Sequence, residues 1–234
     1  MRQVAHDFVA DVAERLPLSD PIVEIGARSA AGQEQGPLIR SIFAGRDFIG
    51  CDLFDGPNVD RVEDAHRLSF ADASVGTVVS VDTLEHIADP LRAVAEMHRV
   101  LRPGGVCVLA SVMLFHIHEH PWDYWRFTPE GLALLLAPFT TREVTSHGHP
   151  LLPETVMGVG IKGEHAPLDL ASMPRTRLWI AGWGAGRPVE FGPLRLTVGE
   201  LWDQAARHTV RAVRGRGLRV LRRTVDRFPR SRRG

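Results

Sequence analysis

Hydrophobic and polar residues alternate along the chain in stretches that fit helices and strands in turn. Apolar residues spaced four apart in residues 3–16 predict an amphipathic first helix, and the charged residues among them argue against a signal peptide. Short runs rich in apolar and β-branched residues predict strands at residues 21–25, 48–51, 59–62, 76–81, 106–112 and 139–146. Between these strands, the pattern predicts helices at residues 38–43, 89–101 and 128–137.

The predicted helix at residues 89–101 has clear signals at both ends. Asp89 is a suitable N-cap, Pro90 fits the first helical position, and a Pro-Gly-Gly turn at 103–105 ends the helix. The strand that follows is apolar on both faces, as buried parallel strands are. Because strands and helices alternate at this spacing, we predict an α/β fold with a doubly wound, mostly parallel sheet of the Rossmann-like kind.

Residues 148–197 are rich in glycine and proline and give no clear pattern. Within them, residues 158–163 formally match the phosphate-binding pattern G-x-G-x-x-G, but no acidic residue follows at the right distance and Pro167 would cut off the required helix. We therefore interpret this stretch as a structural loop. From residue 198 the pattern is helical again, which divides the chain into a main domain (1–197) and a helical C-terminal appendage (198–234).

The net charge is zero overall, yet it is unevenly distributed. Residues 207–234 contain eleven arginines and one acid, whereas the preceding residues carry 17 basic and 27 acidic side chains. An acidic main domain argues against specific binding of nucleic acid. Three interpretations of the basic tail stay open: a solvated terminus, an amphipathic helix on an anionic membrane surface, and a segment that binds an acidic partner or RNA nonspecifically.

Cysteine content and hydropathy bear on the cellular compartment. No apolar run approaches the roughly 20 residues that a membrane span needs. Cys51 and Cys107 lie in predicted buried strands, so we expect two reduced thiols in the core. These observations predict a cytoplasmic protein, with the basic tail as the segment that could hold it peripherally at a membrane.

Acidic residues and a glycine stand at or just after the carboxyl ends of four predicted strands. A glycine there lets a ligand approach the backbone, and a carboxylate at the end of the second strand can bond both hydroxyls of a ribose. The positions are Glu24 and Gly26 for the first strand, Asp52 for the second, Asp64 for the third and Asp82 for the fourth.

In these segments the chain resembles the class I S-adenosylmethionine-dependent methyltransferases, specifically the broad group of bacterial small-molecule enzymes related to the ubiquinone-type methyltransferases. The resemblance covers roughly residues 20–145 and is most specific at residues 84–105, which read LEHIADPLRAVAEMHRVLRPGG. It implies S-adenosyl-L-methionine as the cofactor. The cofactor-binding residues that it implies are Glu24 and Gly26 (methionine), Asp52 (ribose), Asp64 and Ala65 (adenine), and Asp82 and Leu84 (pocket floor).

The glycine-rich loop departs from the family pattern E-x-G-x-G-x-G, because Arg28 and Ala30 stand where it has its second and third glycines. A dinucleotide needs the second glycine because its pyrophosphate rests on the backbone, whereas S-adenosylmethionine has no phosphate, so the steric demand is softer. Glu24 also suits a cationic sulfonium cofactor better than an anionic dinucleotide. Arg28 either contacts the cofactor carboxylate or faces solvent.

A second group of candidate residues follows the fifth predicted strand. Residues 115–129 read FHIHEHPWDYWRFTP and resemble a recurring H-P-x-D-Y-W-R-F-T-P-E-G-L block in a subgroup of these enzymes. The segment follows the carboxyl end of a strand, where the ligand crevice of such a sheet opens. The candidate catalytic residues are His86, His120 and Asp123, and the candidate substrate-binding residues are His116, His118, Tyr124 and Arg126.

Several of these residues admit a second interpretation. His86 also fits a helix start bonded to backbone, and Asp123 with Arg126 also fits a local ion pair. The aromatic residues of the segment also fit core or lid packing. The three alternating histidines of residues 116–120 would share one side of an extended segment, as metal ligands can, but we predict no metal site.

The sequence therefore predicts an enzyme that transfers a methyl group from S-adenosylmethionine to a small molecule. Because the cofactor brings the leaving group, the protein has to position the nucleophile and remove a proton. We expect an oxygen as the acceptor atom, with nitrogen as the alternative, on a sugar, a lipid-linked glycan or a secondary metabolite. The competing hypothesis is a non-catalytic relative that keeps the fold as a partner-binding module.

Overall fold

The computed structural model describes residues 1–29, 38–118 and 122–182, and the backbone of residues 188–191 and 194–197. The predicted appendage and the division at residue 197 are outside this set or at its edge, and they stay predictions. Met1–Trp183 form one compact unit, which holds the main sheet. In the following unit, the described residues form a two-stranded antiparallel pair.

The element order is largely the one that the hydrophobic pattern predicts. The helices are α1 (Gln3–Arg15), α2 (Ile39–Ile42), α3 (Pro90–Val100), α4 (Pro129–Leu135) and α5 (Pro174–Gly182). The strands are β1 (Ile22–Ile25), β2 (Phe48–Asp52), β3 (Arg61–Val62), β4 (Val75–Val81), β5 (Leu101–Val112), β6 (Thr141–His149), β7 (Leu152–Ile161), β8 (Pro188–Phe191) and β9 (Leu194–Thr197). None of the helices in the described part of the chain is long and apolar enough to cross a bilayer.

Seven strands form one sheet in the order β3-β2-β1-β4-β5-β7-β6. The first five strands are parallel, and β7 pairs antiparallel with both β5 and β6, so the predicted mostly parallel, doubly wound sheet is confirmed. The chain runs outward from β1 through β2 to β3, and then returns to place β4 on the other side of β1. This reversal creates a crevice at the carboxyl ends of β1 and β4, where ligands bind in open α/β sheets.

The first residues of α3 and α4 are capped by neighbouring side chains. The Asp89 carboxylate accepts a hydrogen bond from the backbone N–H of Arg92 at 3.1 Å, and Pro90 occupies the first turn of α3, which confirms the predicted cap. Thr128 caps α4 in the same way, through a 3.0 Å bond from the N–H of Gly131. These caps set where the loops before α3 and α4 end.

Two hydrophobic clusters cover the two faces of the sheet. One face packs α3 and α4 through residues such as Met97 and Leu132, and the other packs α1 through Phe8 and Val12. Cys51 and Cys107 are free and fully buried in the sheet, as predicted. With both faces covered, the carboxyl ends of the central strands are left as the open edge of the sheet.

The prediction of a loop at residues 158–163 is wrong, because most of this stretch belongs to β7. Its glycines allow close packing of the neighbouring turn. A Cβ atom at Gly158 would lie 2.8 Å from a methyl carbon of Leu136, and one at Gly160 would lie 2.5 Å from the ring of Phe139. The strand has glycines where the turn after α4 packs on it, and these glycines interrupt the β-branched residues that mark it as a strand.

Candidate functional site

A cavity of about 810 Å³ opens at the carboxyl ends of β1, β2 and β4, the position that the sheet topology indicates. Most of the predicted site residues line it. Those in the wall are Glu24, Gly26, Arg28, Asp52, Asp64, Ala65, Asp82, His86, His118 and Tyr124. Those outside the wall are Leu84, His116, Asp123 and Arg126. His120 lies outside the described residues.

Gly26 allows the ends of β1 and β4 to approach each other. Its φ is +92°, in the left-handed region, and a Cβ atom there would lie 2.0 Å from Oγ1 of Thr83. Any side chain at this position would therefore clash with the loop after β4, whether or not a ligand is bound. Leu84, one residue after this contact, is fully buried in the hydrophobic cluster under α3 rather than in the cavity floor.

Glu24 contributes a carboxylate to the cavity wall from within β1. Burial raises its pKa to about 8, an effect that the charge of Arg40 only partly offsets. A cationic ligand near Glu24 would lower this raised pKa, because a positive charge favours the ionised form of the carboxylate.

Asp52 ends β2 with its carboxylate oriented by two backbone donors. The N–H of Arg28 donates to Oδ2 at 3.2 Å, and the N–H of Phe54 donates to Oδ1 at 3.1 Å. Each oxygen keeps a free lone pair for a hydroxyl of a ligand. The Arg28 guanidinium lies over the Phe54 ring, 5.4 Å from its centroid, with Nε 3.8 Å from Oδ1 of Asp52. Arg28 therefore lies beside this carboxylate in the cavity wall.

Asp64 and Ala65 lie beyond the end of β3 and line the same cavity. The Asp64 carboxylate accepts a 2.9 Å bond from the backbone N–H of His66 and contacts Nδ1 of that ring at 2.7 Å. The backbone bond is the main reason that the pKa of Asp64 is lowered. This turn holds Ala65 against the cavity as a small apolar surface.

The Asp82 carboxylate is hydrogen-bonded to Arg2 of the N-terminal segment, a contact that the sequence did not indicate. The Arg2 side chain donates from Nε to Oδ1 at 3.2 Å, its backbone N–H donates to Oδ2 at 3.1 Å, and a second guanidinium nitrogen also reaches Oδ1. Burial would raise the pKa of Asp82, but the ion pair with Arg2 outweighs it and the pKa is lowered. Asp82 has a φ of +49°, and Met1 and Arg2 line the cavity beside it.

Glu85, His86 and His118 form a compact cluster in the wall of the same cavity. Each offers one ligand atom, and these atoms all lie within 4.8 Å of one another. Glu85 is fully buried; its Oε2 accepts a 2.7 Å bond from Oγ of Ser111, while its Oε1 has no hydrogen-bond partner among the described residues. Burial, followed by the charge of Asp82, raises the pKa of Glu85 to about 6.

Both histidines of this cluster are held through Nδ1. His86 Nδ1 lies 3.0 Å from the carbonyl oxygen of Trp122, and His118 Nδ1 lies 3.2 Å from that of His116. Because a carbonyl oxygen only accepts, each ring carries its proton on Nδ1 and leaves the Nε2 lone pair free. Their rings meet edge to face, with centroids 4.7 Å apart.

Asp123 and Arg126 hold the segment after β5 in place from outside the cavity. The Arg126 guanidinium pairs with both carboxylate oxygens of Asp123 and also donates to the carbonyl oxygens of Phe115 and His116. Asp123 in turn accepts a 2.8 Å bond from the backbone N–H of His118. The hydrogen bonds from Arg126 lower the pKa of Asp123 well below its usual range. The local ion pair is therefore present, and it positions His118.

Three aromatic residues, Phe54, Trp122 and Tyr124, line the same cavity. Trp122 stacks on Phe54 with ring centroids 5.6 Å apart and planes within 14°. Tyr124 is half exposed, and its backbone N–H donates to the carbonyl oxygen of Glu85 at 2.8 Å. The segment thereby folds back over the loop after β4.

Sequence reasoning missed Arg2 and Glu85, two charged residues of the cavity wall. Arg2 pairs with a residue 80 positions away, a contact that no local pattern reveals. Glu85 carried a usable signal, because it stands three residues after Asp82 and next to His86 in the short 3-10 turn Leu84–His86. An acid in the loop directly after a central parallel strand lies near the ligand crevice of such a sheet.

Comparison with known proteins adds independent information on this region. Residues 46–109, which run from just before β2 to β5, match the protein family described as Methyltransferase domain. Over 97 residues the chain is 29% identical to the ubiquinone biosynthesis O-methyltransferase of Parvibaculum lavamentivorans, covering 41% of this chain and 36% of that protein. Over 119 residues it is 51% identical to an uncharacterized methyltransferase of Mycolicibacterium vanbaalenii, covering 50% of this chain and 41% of that protein. The chain therefore spans less than half the length of these curated relatives.

A solved structure shares the fold. The 1,6-didemethyltoxoflavin-N1-methyltransferase of Burkholderia thailandensis, with bound 1,6-didemethyltoxoflavin and S-adenosylhomocysteine, has a TM-score of 0.51 and 16% sequence identity to this chain. The alignment covers 69% of this chain and 79% of that one. At this level of identity the likeness concerns the fold of the sheet and its helices.

Proposed function

We propose that this chain, which carries a class I S-adenosylmethionine-dependent methyltransferase domain, transfers a methyl group from S-adenosylmethionine to an oxygen of a small molecule. The observation that carries the proposal is a single cavity lined by two chemically different groups of side chains, which we call its two ends. One group offers the carboxylates of Glu24 and Asp52, and the other is the cluster of Glu85, His86 and His118.

The first end fits the cofactor. Glu24 presents a partly buried carboxylate that a cationic sulfonium or ammonium group would stabilise in its ionised form. Asp52 presents two oriented oxygens that suit the two hydroxyls of a ribose. Arg28, in place of a glycine, lies over the ring of Phe54, and the Asp52 carboxylate still lines the cavity beside it. When bound, the cofactor supplies the methyl group and the leaving group.

The second end fits an acceptor that has to lose a proton. In its neutral form each of His86 and His118 keeps a free lone pair on Nε2, and one ring nitrogen of each lies within 4.8 Å of a Glu85 carboxylate oxygen. A hydroxyl is a weak nucleophile until its proton is removed, whereas a neutral amine already carries the lone pair that attacks. The concentration of proton-accepting atoms therefore supports oxygen as the acceptor atom.

The aromatic wall bears on the shape of the acceptor. Phe54 and Trp122 stack on each other, and both line the cavity together with Tyr124. Flat surfaces of this kind bind ring-shaped ligands through stacking and apolar contact. We propose a ring-bearing hydroxyl compound, a description that includes a sugar and an aromatic secondary metabolite.

The competing hypothesis, a non-catalytic relative with the same fold, predicts loss of the cofactor-binding groups. The carboxylates of Glu24 and Asp52 and the small residues Gly26 and Ala65 all line the cavity. Their presence together favours the enzyme over the binding module.

Isothermal titration of the full chain with S-adenosylhomocysteine tests the proposal. We expect saturable one-to-one binding that is weakened at least about tenfold by Asp52→Asn, since that variant loses charge-assisted bonds to the ribose. The matched control is Asp55→Asn, an exposed acid three residues further on, which should bind as the unmodified chain does. Absence of binding at millimolar ligand, with the chain folded, would exclude the proposed activity.

A further inference from the structure

We propose that Glu85, His86 and His118 bind a divalent transition-metal ion at the acceptor end of the cavity. The proposal rests on the proposed function, which it deepens by naming what activates the acceptor. Three ligand atoms from these side chains already lie within 4.8 Å of one another. Small shifts of the two partly exposed histidines would bring all three to the distances of about 2.0–2.2 Å at which such ions are held.

Glu85 is the strongest indication that a cation belongs here. Its side chain is fully buried, Ser111 fixes one carboxylate oxygen, and the other oxygen has no hydrogen-bond partner among the residues that the structure describes. An unsatisfied oxygen on a buried carboxylate is costly, and buried charges are usually paired or coordinate metals. The free oxygen is the one available to complete the cluster.

The two histidines are prepared as ligands by their backbone contacts. His86 and His118 each direct Nδ1 at a carbonyl oxygen, at 3.0 Å and 3.2 Å. This arrangement fixes the tautomer and leaves Nε2 unprotonated, which is the common arrangement of histidines that bind metals. For His118, the carboxylate of Asp123 lies 3.3 Å from the same Nδ1, and Arg126 orients that carboxylate.

The charges around the cluster favour a cation. The carboxylates that act on it are those of Asp82, Glu85 and Asp123, and the guanidiniums are those of Arg2 and Arg126. With both histidines neutral, the acids outnumber the arginines by one. A divalent ion would therefore enter a site of net negative charge.

The donor set indicates the kind of ion. Two imidazoles and one carboxylate match the three protein ligands of catalytic Zn²⁺ sites, which keep a fourth position open, and the same set also suits Mn²⁺ and Co²⁺. The sequence pattern had suggested alternating histidines around His118 as possible ligands and we predicted no metal. The structure instead groups His118 with two residues from the loop after β4, and His116 is not part of the group.

The open position gives the site its role in the reaction. An acceptor hydroxyl bound there would have a lowered pKa and would release its proton to water. Its oxygen would then form the new bond to the methyl carbon as the carbon–sulfur bond breaks, with that electron pair staying on sulfur. The acceptor class is thus a compound whose hydroxyl can coordinate a metal.

The test is direct metal binding by the full chain, purified without a histidine tag and freed of metals with a chelator. Calorimetric titrations use ZnCl₂ and, separately, MnCl₂. We expect one strong site for at least one of these ions, weakened by about 100-fold or more in Glu85→Gln and in His118→Gln. His165→Gln is the matched control, a histidine far from the cluster in sequence, and it should bind as the unmodified chain does.

His118→Gln keeps the test decisive if Glu85→Gln fails to fold, because His118 is only partly buried. Equal affinity in the unmodified chain, His118→Gln and His165→Gln would overturn the proposal, as would the lack of any site tighter than millimolar. A separate titration with S-adenosylhomocysteine in the presence of chelator separates the two ideas. Cofactor binding without metal binding would reject the metal site alone, and the reverse result would reject the methyltransferase activity alone.

Discussion

The guanidinium of Arg2 and the carboxylate of Asp82 form a two-pronged ion pair inside the cavity, although 80 residues separate them in the chain. The pair ties the start of α1 to the end of β4. Since Asp82 is mostly buried and has a φ of +49°, it depends on this partner for its conformation and for its charge.

We expect Arg2→Ala to lower the free energy of unfolding by about 1–3 kcal/mol, because a mostly buried carboxylate loses its partner. The measurement is urea-induced unfolding of the full chain. Arg46→Ala is the matched control: it removes an exposed pair with Asp20, for which we expect a loss of at most about 1 kcal/mol. Equal losses in the two variants would mean that the Arg2 pair is no more than a surface contact.

Alanine substitutions at Gly26 and Gly45 distinguish the cost of backbone strain from the cost of a steric clash. Both have a left-handed φ, +92° and +80°, but a Cβ atom would lie 2.0 Å from Thr83 at Gly26 and would meet nothing within 4 Å at Gly45. Gly45→Ala should cost about 1–2 kcal/mol of stability, the strain alone. Gly26→Ala should cost clearly more and should also reduce binding of S-adenosylhomocysteine. If thermal unfolding shows the two variants to be equally stable, the close approach of β1 and β4 is not needed.

Glu24 should make stability depend on pH. Its pKa in the folded chain is about 8, raised from 4.5 by burial, so between these values the folded state holds a proton that the unfolded state has lost. Stability therefore falls as pH rises through this window, by up to about 1.4 kcal/mol per pH unit. Urea unfolding between pH 5 and pH 9 should show this fall in the unmodified chain and a shallower one in Glu24→Gln. Glu164→Gln, an exposed acid, should follow the unmodified chain; a Glu24→Gln profile parallel to both would contradict the raised pKa.

The basic tail yields a prediction that rests on the sequence, since residues 198–234 are outside the described part of the chain. Leu218, Leu221 and Val225 form an apolar stripe among eleven arginines, a pattern typical of helices on anionic membranes. Truncation before Arg207 should reduce co-sedimentation with vesicles that contain phosphatidylserine. Binding to neutral vesicles should be weak for both chains, and high salt should weaken the difference. Unchanged co-sedimentation after truncation would reject the membrane interpretation.

Local signals in the sequence were sufficient for most of the sheet and for α3. Asp89 and Pro90 define the start of that helix through contacts within three residues, and the structure contains the predicted cap. The same holds for the position of Glu24, Asp52 and Asp64 around one cavity, because the carboxyl ends of parallel strands meet at one edge.

The missed features depend on contacts between distant parts of the chain. In the sequence Gly160 indicates a loop. Its presence in a strand is explained by the ring of Phe139, which packs against it. Glu85 and His118 come close to each other only where the segment after β5 folds back over the loop after β4. No spacing rule relates residues that come from two different loops.

The stack of Trp122 on Phe54 joins the two ends of the cavity physically. Phe54 stands two residues after Asp52, whose carboxylate it orients through its backbone N–H, whereas Trp122 contributes the carbonyl oxygen that holds His86. In the proposed function, the cofactor and the acceptor would therefore both depend on this aromatic pair. Reciprocity then requires that whatever affinity the acceptor gains from a bound cofactor, the cofactor gains equally from the acceptor, so a change in this pair should alter both gains by the same factor.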